Sequence, residues 1–116
     1  MYVGTYGTDD PTRATMPFIT ASGALDKGHK PMIVLMGESV YLLKEGVVDA
    51  VQGVGFPPLK QFMNKMIEHK VPFYVWRPCS VARGVTEDDL QGKNAQFAGP
   101  DDLADLLLEA DRVLSF

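Results

Sequence analysis

The residue with the most distinctive chemistry in this sequence is its single cysteine, Cys79. It follows a predicted strand at residues 71–76 and precedes a predicted helical turn at residues 80–83, so backbone N–H groups and the helix dipole are expected to face its sulfur. Arg77 lies two residues before Cys79, and Arg83 follows at the i+4 position of a regular helix. Each of these features favours the thiolate, which is the reactive form of a cysteine.

Other interpretations of Cys79 stay open at this point. A free cysteine is most often a small buried hydrophobic residue without a chemical role. A thioredoxin-like exchange is disfavoured, because the other position of a Cys-x-x-Cys motif is occupied by Trp76. A reactive Cys79 would therefore carry a sulfur atom or be oxidised reversibly, with the resolving group supplied by another molecule.

The elements that must position Cys79 alternate between strands and helices. Short apolar or β-favouring runs predict strands at residues 2–6, 32–36, 71–76, 94–97 and 111–116. Capping residues and apolar stripes predict helices at residues 11–27, 38–44, 57–69, 80–83, 86–90 and 100–110. With no repeat or linker, this order predicts one α/β domain over residues 1–116 with a mostly parallel sheet. A kink or a displaced start is expected where Pro17 falls inside the first long helix.

The loops after the strands are the expected location of a site, because ligands of open parallel sheets bind beyond the carboxyl ends of the strands. Thr8 and Glu38 are placed there by the loops after the first two strands, so both are predicted to line a pocket with Cys79. Residues 47–56 are apolar without a clear period, which predicts a contact between subunits.

Composition excludes several classes of protein. The 116 residues carry a net charge of −4, which argues against nucleic acid and anionic membranes as partners. No apolar run is long enough to cross a bilayer, no secretory signal begins the chain, and one cysteine forms no internal disulfide. We therefore expect a cytoplasmic protein.

No metal or cofactor is expected either. Two histidines and one cysteine are a poor set of zinc ligands, and neither a Walker motif nor a Gly-x-Gly-x-x-Gly motif is present. Asp9 and Asp10 resemble the acidic pair of a response regulator, but the third strand ends without the phospho-accepting aspartate. The two carboxylates are better explained as a helix cap.

Four blocks of sequence, spread over nearly the whole chain, carry a family resemblance. They are GTDDPxRATxPF (residues 7–18), GVGFPPL (53–59), PCxxARGVT (78–86) and LLLEAD (106–111). In this order they resemble the DsrE/DsrF-like family of small sulfur-relay proteins. The resemblance implies a three-layer α/β/α fold on a five-stranded parallel sheet, assembled as a homo-oligomer, either a trimer or a hexamer.

The same resemblance implies that Cys79 is the catalytic residue. In the sulfur-relay members, a cysteine at the matching position carries a persulfide and passes its sulfur to a partner protein, so donor and acceptor proteins are the expected partners. Arg83 and Arg77 would stabilise the anion. Many relatives have a second cysteine where this chain has Trp76, so an intramolecular disulfide is not expected. The alternatives are a non-catalytic oligomeric module that binds a small ligand or a partner, with an unreactive Cys79, and, third, a peroxide-sensing thiol.

Overall fold

Five strands form one parallel sheet in the computed structural model, which describes all of residues 1–116. The strands are Tyr2–Gly4 (β1), Ile33–Leu35 (β2), Phe73–Trp76 (β3), Ala95–Ala98 (β4) and Leu114–Ser115 (β5). Their order in the sheet is β4-β3-β2-β1-β5, and all four pairings are parallel. The predicted five-stranded parallel sheet is thereby confirmed.

Helical segments connect the strands and cover both faces of the sheet. They are Pro11–Asp26 (α1), Leu59–Glu68 (α2), Arg77–Ala82 (α3), Glu87–Leu90 (α4) and Pro100–Glu109 (α5), with 3₁₀ helices at Gly37–Leu43 and Val48–Ala50. The steps from β1 to β4 all run in one direction across the sheet, whereas the last connection returns to the far side of β1. Because parallel crossovers are right-handed, α5 lies on the face opposite to α1 and α2, which completes the predicted three layers. None of the helices is long and apolar enough to span a membrane.

The main hydrophobic core lies between the sheet and the pair α1 and α2. Alternate residues of each strand point into it, as Ile33 and Leu35 do from β2. Phe18 of α1 and Phe73 of β3 meet at its centre, with their ring centroids 6.1 Å apart. Val34 is also buried but lies outside this cluster, because it points to the other face of the sheet. Burial on both faces explains the continuous apolar run of β2.

Helix α1 begins and continues as its sequence predicts, with one difference. The side chain of Asp10 accepts a hydrogen bond from the backbone N–H of Arg13 at 3.0 Å, which confirms the predicted cap. The displaced start that Pro17 offered as one alternative does not occur, because the helix begins at Pro11 and runs through Pro17 as one segment. A Cβ added at Gly4 would lie 3.0 Å from Cγ of Pro17, so the glycine allows the proline ring to pack directly on β1.

Several predicted boundaries were wrong. The helical turn expected at residues 80–83 begins already at Arg77, directly after β3, because Pro78 suits the first turn of a helix. The strands expected at residues 2–6 and 111–116 are shorter, with three and two residues. β5 lies at one edge of the sheet and pairs with β1 alone.

The apolar residues 47–56 divide between the core and the surface. Val51 is buried, Phe56 is half-buried and Val54 is 89% exposed. The irregular pattern therefore reflects a turn of 3₁₀ helix followed by a loop, in which only part of the stretch reaches the core. Its role as a contact between subunits stays a prediction.

Candidate functional site

The segments that follow β1, β2 and β3 converge at the carboxyl edge of the sheet. A Cβ added at Gly7 would overlap the backbone carbonyl of Glu38, so the first two loops are in direct contact. The buried hydroxyl of Ser39 lies 2.7 Å from the carbonyl oxygen of Gly4, and the backbone N–H of Met36 donates to the same oxygen at 2.9 Å. These bonds fix the start of the 3₁₀ helix, and with it Glu38, to the end of β1.

Cys79 lies in the first turn of α3, as its third residue. The helix follows β3 without a loop, and the hydroxyl of Ser80 donates to the carbonyl oxygen of Trp76 at 2.8 Å, which ties the turn to the strand. Cys79 is half-buried and packs against the main core. The sequence had placed Cys79 before the helix, whereas the structure places it inside the helix with one side on the core.

Arg83 connects Cys79 to Glu38. Its Nη2 and Nε atoms both donate to Oε1 of Glu38, at 2.6 and 3.1 Å, and its Nη1 atom donates to the backbone carbonyl of Cys79 at 3.2 Å. The hydrogen bond to Glu38 raises the pKa of Arg83 above its already high ordinary value, and the charge of Glu38 and the nearby Cys79 act in the same direction. The structure thus brings together three of the residues that the sequence singled out.

Tyr41 is a member of this group that the sequence interpretation missed. The carbon at the centre of the Arg83 guanidinium lies 5.9 Å from the centroid of the Tyr41 ring, within the range of a cation–π interaction. Tyr41 follows Glu38 by three residues in the same 3₁₀ helix, where residues at i and i+3 lie above one another. That spacing is the signal in the sequence that would have found it.

Arg77 points to a different neighbour. Its guanidinium lies 5.0 Å from the centroid of the Phe97 ring of β4, and its side chain donates no hydrogen bond to Cys79. The expectation that Arg77 stabilises an anion at Cys79 therefore has no support from a direct contact. The stacking on Phe97 gives Arg77 a packing role between β3 and β4.

Thr8 lies exposed in the first loop, next to the residues that touch Glu38. The loop is held by its own bonds, because the backbone N–H of Gly7 donates to Oδ1 of Asp9 at 2.8 Å and that of Asp10 donates to the carbonyl of Gly7 at 3.2 Å. The side chain of Thr8 makes no hydrogen bond of its own. It is therefore available to a ligand at this edge, although no direct contact joins it to Cys79.

The arrangement is suited to holding a thiolate or a persulfide rather than a metal ion. A cation whose position is fixed by a carboxylate and a ring lies one helical turn from the only sulfur. No group of three or more histidine, cysteine, aspartate or glutamate side chains converges at a point where it could hold a metal.

Comparison with known proteins places these features in a family context. A model of the DsrE/DsrF-like family matches residues 1–116. Among solved structures, the chain is similar to the crystal structure of the ychN protein from E. coli, with a TM-score of 0.79, 19% sequence identity, and coverage of 99% of this chain and 96% of that chain. At this identity the likeness concerns the fold. No sequence in the search of curated proteins matches the chain.

Proposed function

Because the chain belongs to the DsrE/DsrF-like family, we propose that it is a sulfur carrier in which Cys79 holds sulfane sulfur as a persulfide. The observation that carries this proposal is the connection of Cys79, through its carbonyl and Arg83, to Glu38. If Cys79 served only to fill the core, its packing would not account for a cation held in a fixed position one helical turn later. The carrier passes its sulfur to a partner protein.

The chemistry needs no oxidant or reductant. The Cys79 thiolate attacks the terminal sulfur of a donor persulfide, R–S–SH, so that a new S–S bond forms while the S–S bond of the donor breaks and the donor leaves as a thiolate. In the second step an acceptor thiolate attacks the terminal sulfur on Cys79. That step forms the acceptor persulfide and returns Cys79 as a thiolate, so atoms, electrons and charge balance over the cycle.

Arg83 is placed to stabilise both the thiolate and the persulfide of Cys79 by hydrogen bonds, and not by its positive charge alone. Its ion pair with Glu38 neutralises much of its charge at a distance, since the two groups are 2.6 Å apart. Three of the five guanidinium N–H groups are used by Glu38 and the Cys79 carbonyl, which leaves two donors for a bound anion. A bound persulfide would accept from those donors.

Partner access to Cys79 is supported by a second feature of α3. Val81, two residues after Cys79, is 75% exposed. An exposed valine beside a half-buried thiol offers apolar contact area to a protein that must bring its own sulfur close to Cys79. A homo-oligomer, as a trimer or hexamer, is part of this proposal and rests on the family resemblance.

The competing function is a binding module with an unreactive Cys79, and one observation favours it. Cys79 packs against the main core, as a small hydrophobic residue would. A module of this kind would bind its small ligand or partner at the carboxyl edge, near Thr8 and Glu38. The two functions differ in whether the native protein takes up sulfur.

The test is intact mass spectrometry after incubation with thiosulfate, tetrathionate or a persulfide donor. Wild-type protein is expected to gain the mass of one or more sulfur atoms from thiosulfate or a persulfide donor, and the mass of an S₂O₃ group from tetrathionate with thiosulfate as the leaving group. Either gain is lost on reduction. Cys79→Ser is expected to gain none, and because Cys79 is the only cysteine no second thiol confuses the result. No adduct from any donor, together with resistance of native Cys79 to alkylation, would favour the binding module.

A further inference from the structure

The carboxyl edge of the sheet carries more negative than positive charge. Since all strand pairings are parallel, the segments that follow β1, β2, β3 and β4 lie at the same edge as Cys79. These segments, residues 5–13, 36–43, 77–83 and 99–102, contain five carboxylates and three guanidinium groups. The carboxylates are those of Asp9, Asp10, Glu38, Asp101 and Asp102, and the guanidinium groups are those of Arg13, Arg77 and Arg83. A sulfur donor that approaches Cys79 therefore meets a net negative field.

Each arginine at this edge is already engaged by a group of the chain itself. Nε of Arg13 lies 3.7 Å from Oδ2 of Asp10. Arg83 forms its ion pair with Glu38 at 2.6 Å, and the guanidinium of Arg77 is stacked on a ring of β4. None of the three is left as an unopposed cation that points to the thiol.

Three of the carboxylates, in contrast, have no cation to oppose their charge. Asp9, Asp101 and Asp102 are exposed and form no ion pair, although every residue of the chain is described. Asp9 and Asp102 accept hydrogen bonds from the backbone N–H groups of Gly7 and Gly99, which leave their charge uncancelled. The negative field at this edge comes from these three side chains.

Glu38 is the carboxylate that is connected to Cys79. Nη2 of Arg83 donates to Oε1 of Glu38 at 2.6 Å, and Nη1 of the same guanidinium donates to the carbonyl oxygen of Cys79 at 3.2 Å. The carboxylate therefore lies within about 8 Å of the Cys79 backbone, which is the distance over which charges interact at physiological salt. Its second oxygen accepts no hydrogen bond, and 38% of the side chain is exposed to the solvent from which a donor arrives.

The site provides for one negative charge and opposes a second. The free N–H groups of Arg83 can accept the single charge of a persulfide on Cys79. A dianion such as thiosulfate brings a further charge to a place where the free oxygen of Glu38 repels it and no unopposed cation attracts it. Like charges brought together are a means by which proteins reject a competing ligand.

We propose that Glu38 is a specificity-determining residue, which together with the other carboxylates of this edge selects sulfur donors that are cationic or without net charge over multiply charged anions. This inference rests on the proposed function, because a choice of donor has a meaning only if Cys79 takes up sulfur. The selection concerns approach and not chemistry. When thiosulfate reacts, the Cys79 thiolate attacks its outer sulfur, a new S–S bond forms, the S–S bond of thiosulfate breaks, and sulfite leaves with the electron pair.

The test first compares two thiol reagents that differ in charge. They are 2-(trimethylammonio)ethyl methanethiosulfonate, a cation, and 2-sulfonatoethyl methanethiosulfonate, an anion, and each forms a mixed disulfide with the only cysteine of the chain. The ratio of the two rates is divided by the same ratio for 2-mercaptoethanol. The ratio is independent of how much thiolate is present, because both reagents react with the same thiolate. We expect a normalised ratio of about five or more at low salt, which falls towards one in 1 M salt.

Matched variants assign the selection to Glu38. Glu38→Gln should lower the normalised ratio about three- to fivefold, because it removes the nearest negative charge and leaves Arg83 unopposed. Glu68→Gln is the control, since Glu68 is exposed and ends α2 just before β3, at the opposite edge of the sheet, and it should leave the ratio unchanged. Asp101→Asn should lower the ratio less than Glu38→Gln does.

Sulfur donors of different charge extend the test to the proposed reaction. Mass spectrometry follows the rate of sulfur uptake from thiosulfate and from the persulfide of cysteamine, which has no net charge at neutral pH. Glu38→Gln should accelerate uptake from thiosulfate about threefold more than uptake from cysteamine persulfide.

Two results would overturn the proposal. The first is a normalised ratio near one in the wild-type protein, or an equal change in Glu38→Gln and Glu68→Gln. The second is a native Cys79 that reacts with neither reagent, because a sealed thiol is not selected by charge. Charge-selective labelling without a persulfide from either donor would contradict the sulfur carrier while confirming the charge selection at Cys79, so the two failures are distinguishable.

Discussion

Glu38 and Arg83, 45 residues apart in the sequence, form an ion pair at the carboxyl edge of the sheet, with Nη2 2.6 Å from Oε1. Both Nε and Nη2 donate to the same carboxylate oxygen, so the second oxygen of Glu38 stays free of this arginine. The pair is partly exposed, with 38% of the glutamate and 24% of the arginine side chain accessible. Its effect on folding stability is therefore small, and its effect on the nearby thiol is the one to measure.

Neutralising Glu38 should make Cys79 more reactive. In Glu38→Gln the charge of Arg83 is no longer cancelled, so the thiolate of Cys79 is favoured and its alkylation by iodoacetamide at neutral pH should accelerate about two- to fivefold. Arg83→Gln should slow the reaction by a similar factor. Arg77→Gln is the matched control, because Arg77 stacks on Phe97, and it should change the rate least. If Glu38→Gln slows alkylation as much as Arg83→Gln does, Glu38 does not act on Cys79 by cancelling the charge of Arg83.

Lysine at position 83 should be a poor substitute for arginine in sulfur transfer. Arg83 reaches Glu38 and the Cys79 carbonyl with separate nitrogens of one planar group, which a single ammonium does not reproduce. We expect Arg83→Lys to reduce the rate of sulfur transfer from the Cys79 persulfide to a thiol acceptor about tenfold, with a melting temperature within about 2 °C of wild type. An unchanged rate in a folded Arg83→Lys protein would mean that only the positive charge at this position matters, and not the planar set of donors.

The order of the elements could be predicted from the sequence because each rests on a local signal. Asp10 followed by Pro11 marks the start of α1, and Thr86 with Asp89 marks the start of α4, where the backbone N–H of Thr86 donates to the carboxylate of Asp89. The apolar run of β2 indicates burial on both faces. Such signals lie within a few residues of the element that they define.

The site could be predicted only in part, because side-chain contacts depend on the whole fold. Position at the ends of strands was enough to group Cys79, Arg83 and Glu38. The direction of Arg77 was not predictable, since it is set by Phe97 on a neighbouring strand. The start of α3 at Arg77 was also missed, because a strand that passes directly into a helix has no loop residues to mark the boundary.

Gly7 should be intolerant of even one added methyl group. A Cβ at this position would overlap the backbone carbonyl of Glu38, and backbone atoms cannot move aside as a flexible side chain does. We expect Gly7→Ala to lower the free energy of unfolding by about 2 kcal/mol or more, measured by urea denaturation, and to alter the alkylation rate of Cys79 through the displaced Glu38. A Gly7→Ala protein of wild-type stability would contradict the close packing of the first two loops.

Gly23, in contrast to Gly7, should tolerate an added methyl group. It lies exposed within α1, and no atom would come within 4 Å of an added Cβ. Alanine restricts the unfolded chain and favours the helix, so Gly23→Ala should raise the free energy of unfolding by about 0.5–1 kcal/mol in the same urea experiment. A loss of stability in this variant would mean that the helix surface at Gly23 is covered by something other than solvent.

Asp89 should make the stability of the protein depend on pH in the acid range. The backbone N–H of Thr86 donates to Asp89 at 2.8 Å, and this bond, followed by the interaction with Lys44, lowers the pKa of Asp89 below its ordinary value. A carboxyl group whose pKa is lower in the folded state stabilises the fold above its unfolded pKa of about 3.9, and this contribution is lost as the pH falls through the folded pKa.

The variant Asp89→Asn isolates this contribution. At neutral pH it should lower the free energy of unfolding by about 1 kcal/mol, because asparagine keeps the shape of the cap but loses the charge that strengthens its bonds to Thr86 and Lys44. The difference from wild type should shrink towards zero as the pH is lowered below the unfolded pKa. Asp88→Asn, in the same helix but without these partners, is the control and should show a smaller difference at neutral pH. If the stability difference for Asp89→Asn stays constant from neutral to acid pH, the charge of Asp89 is not what holds the start of α4.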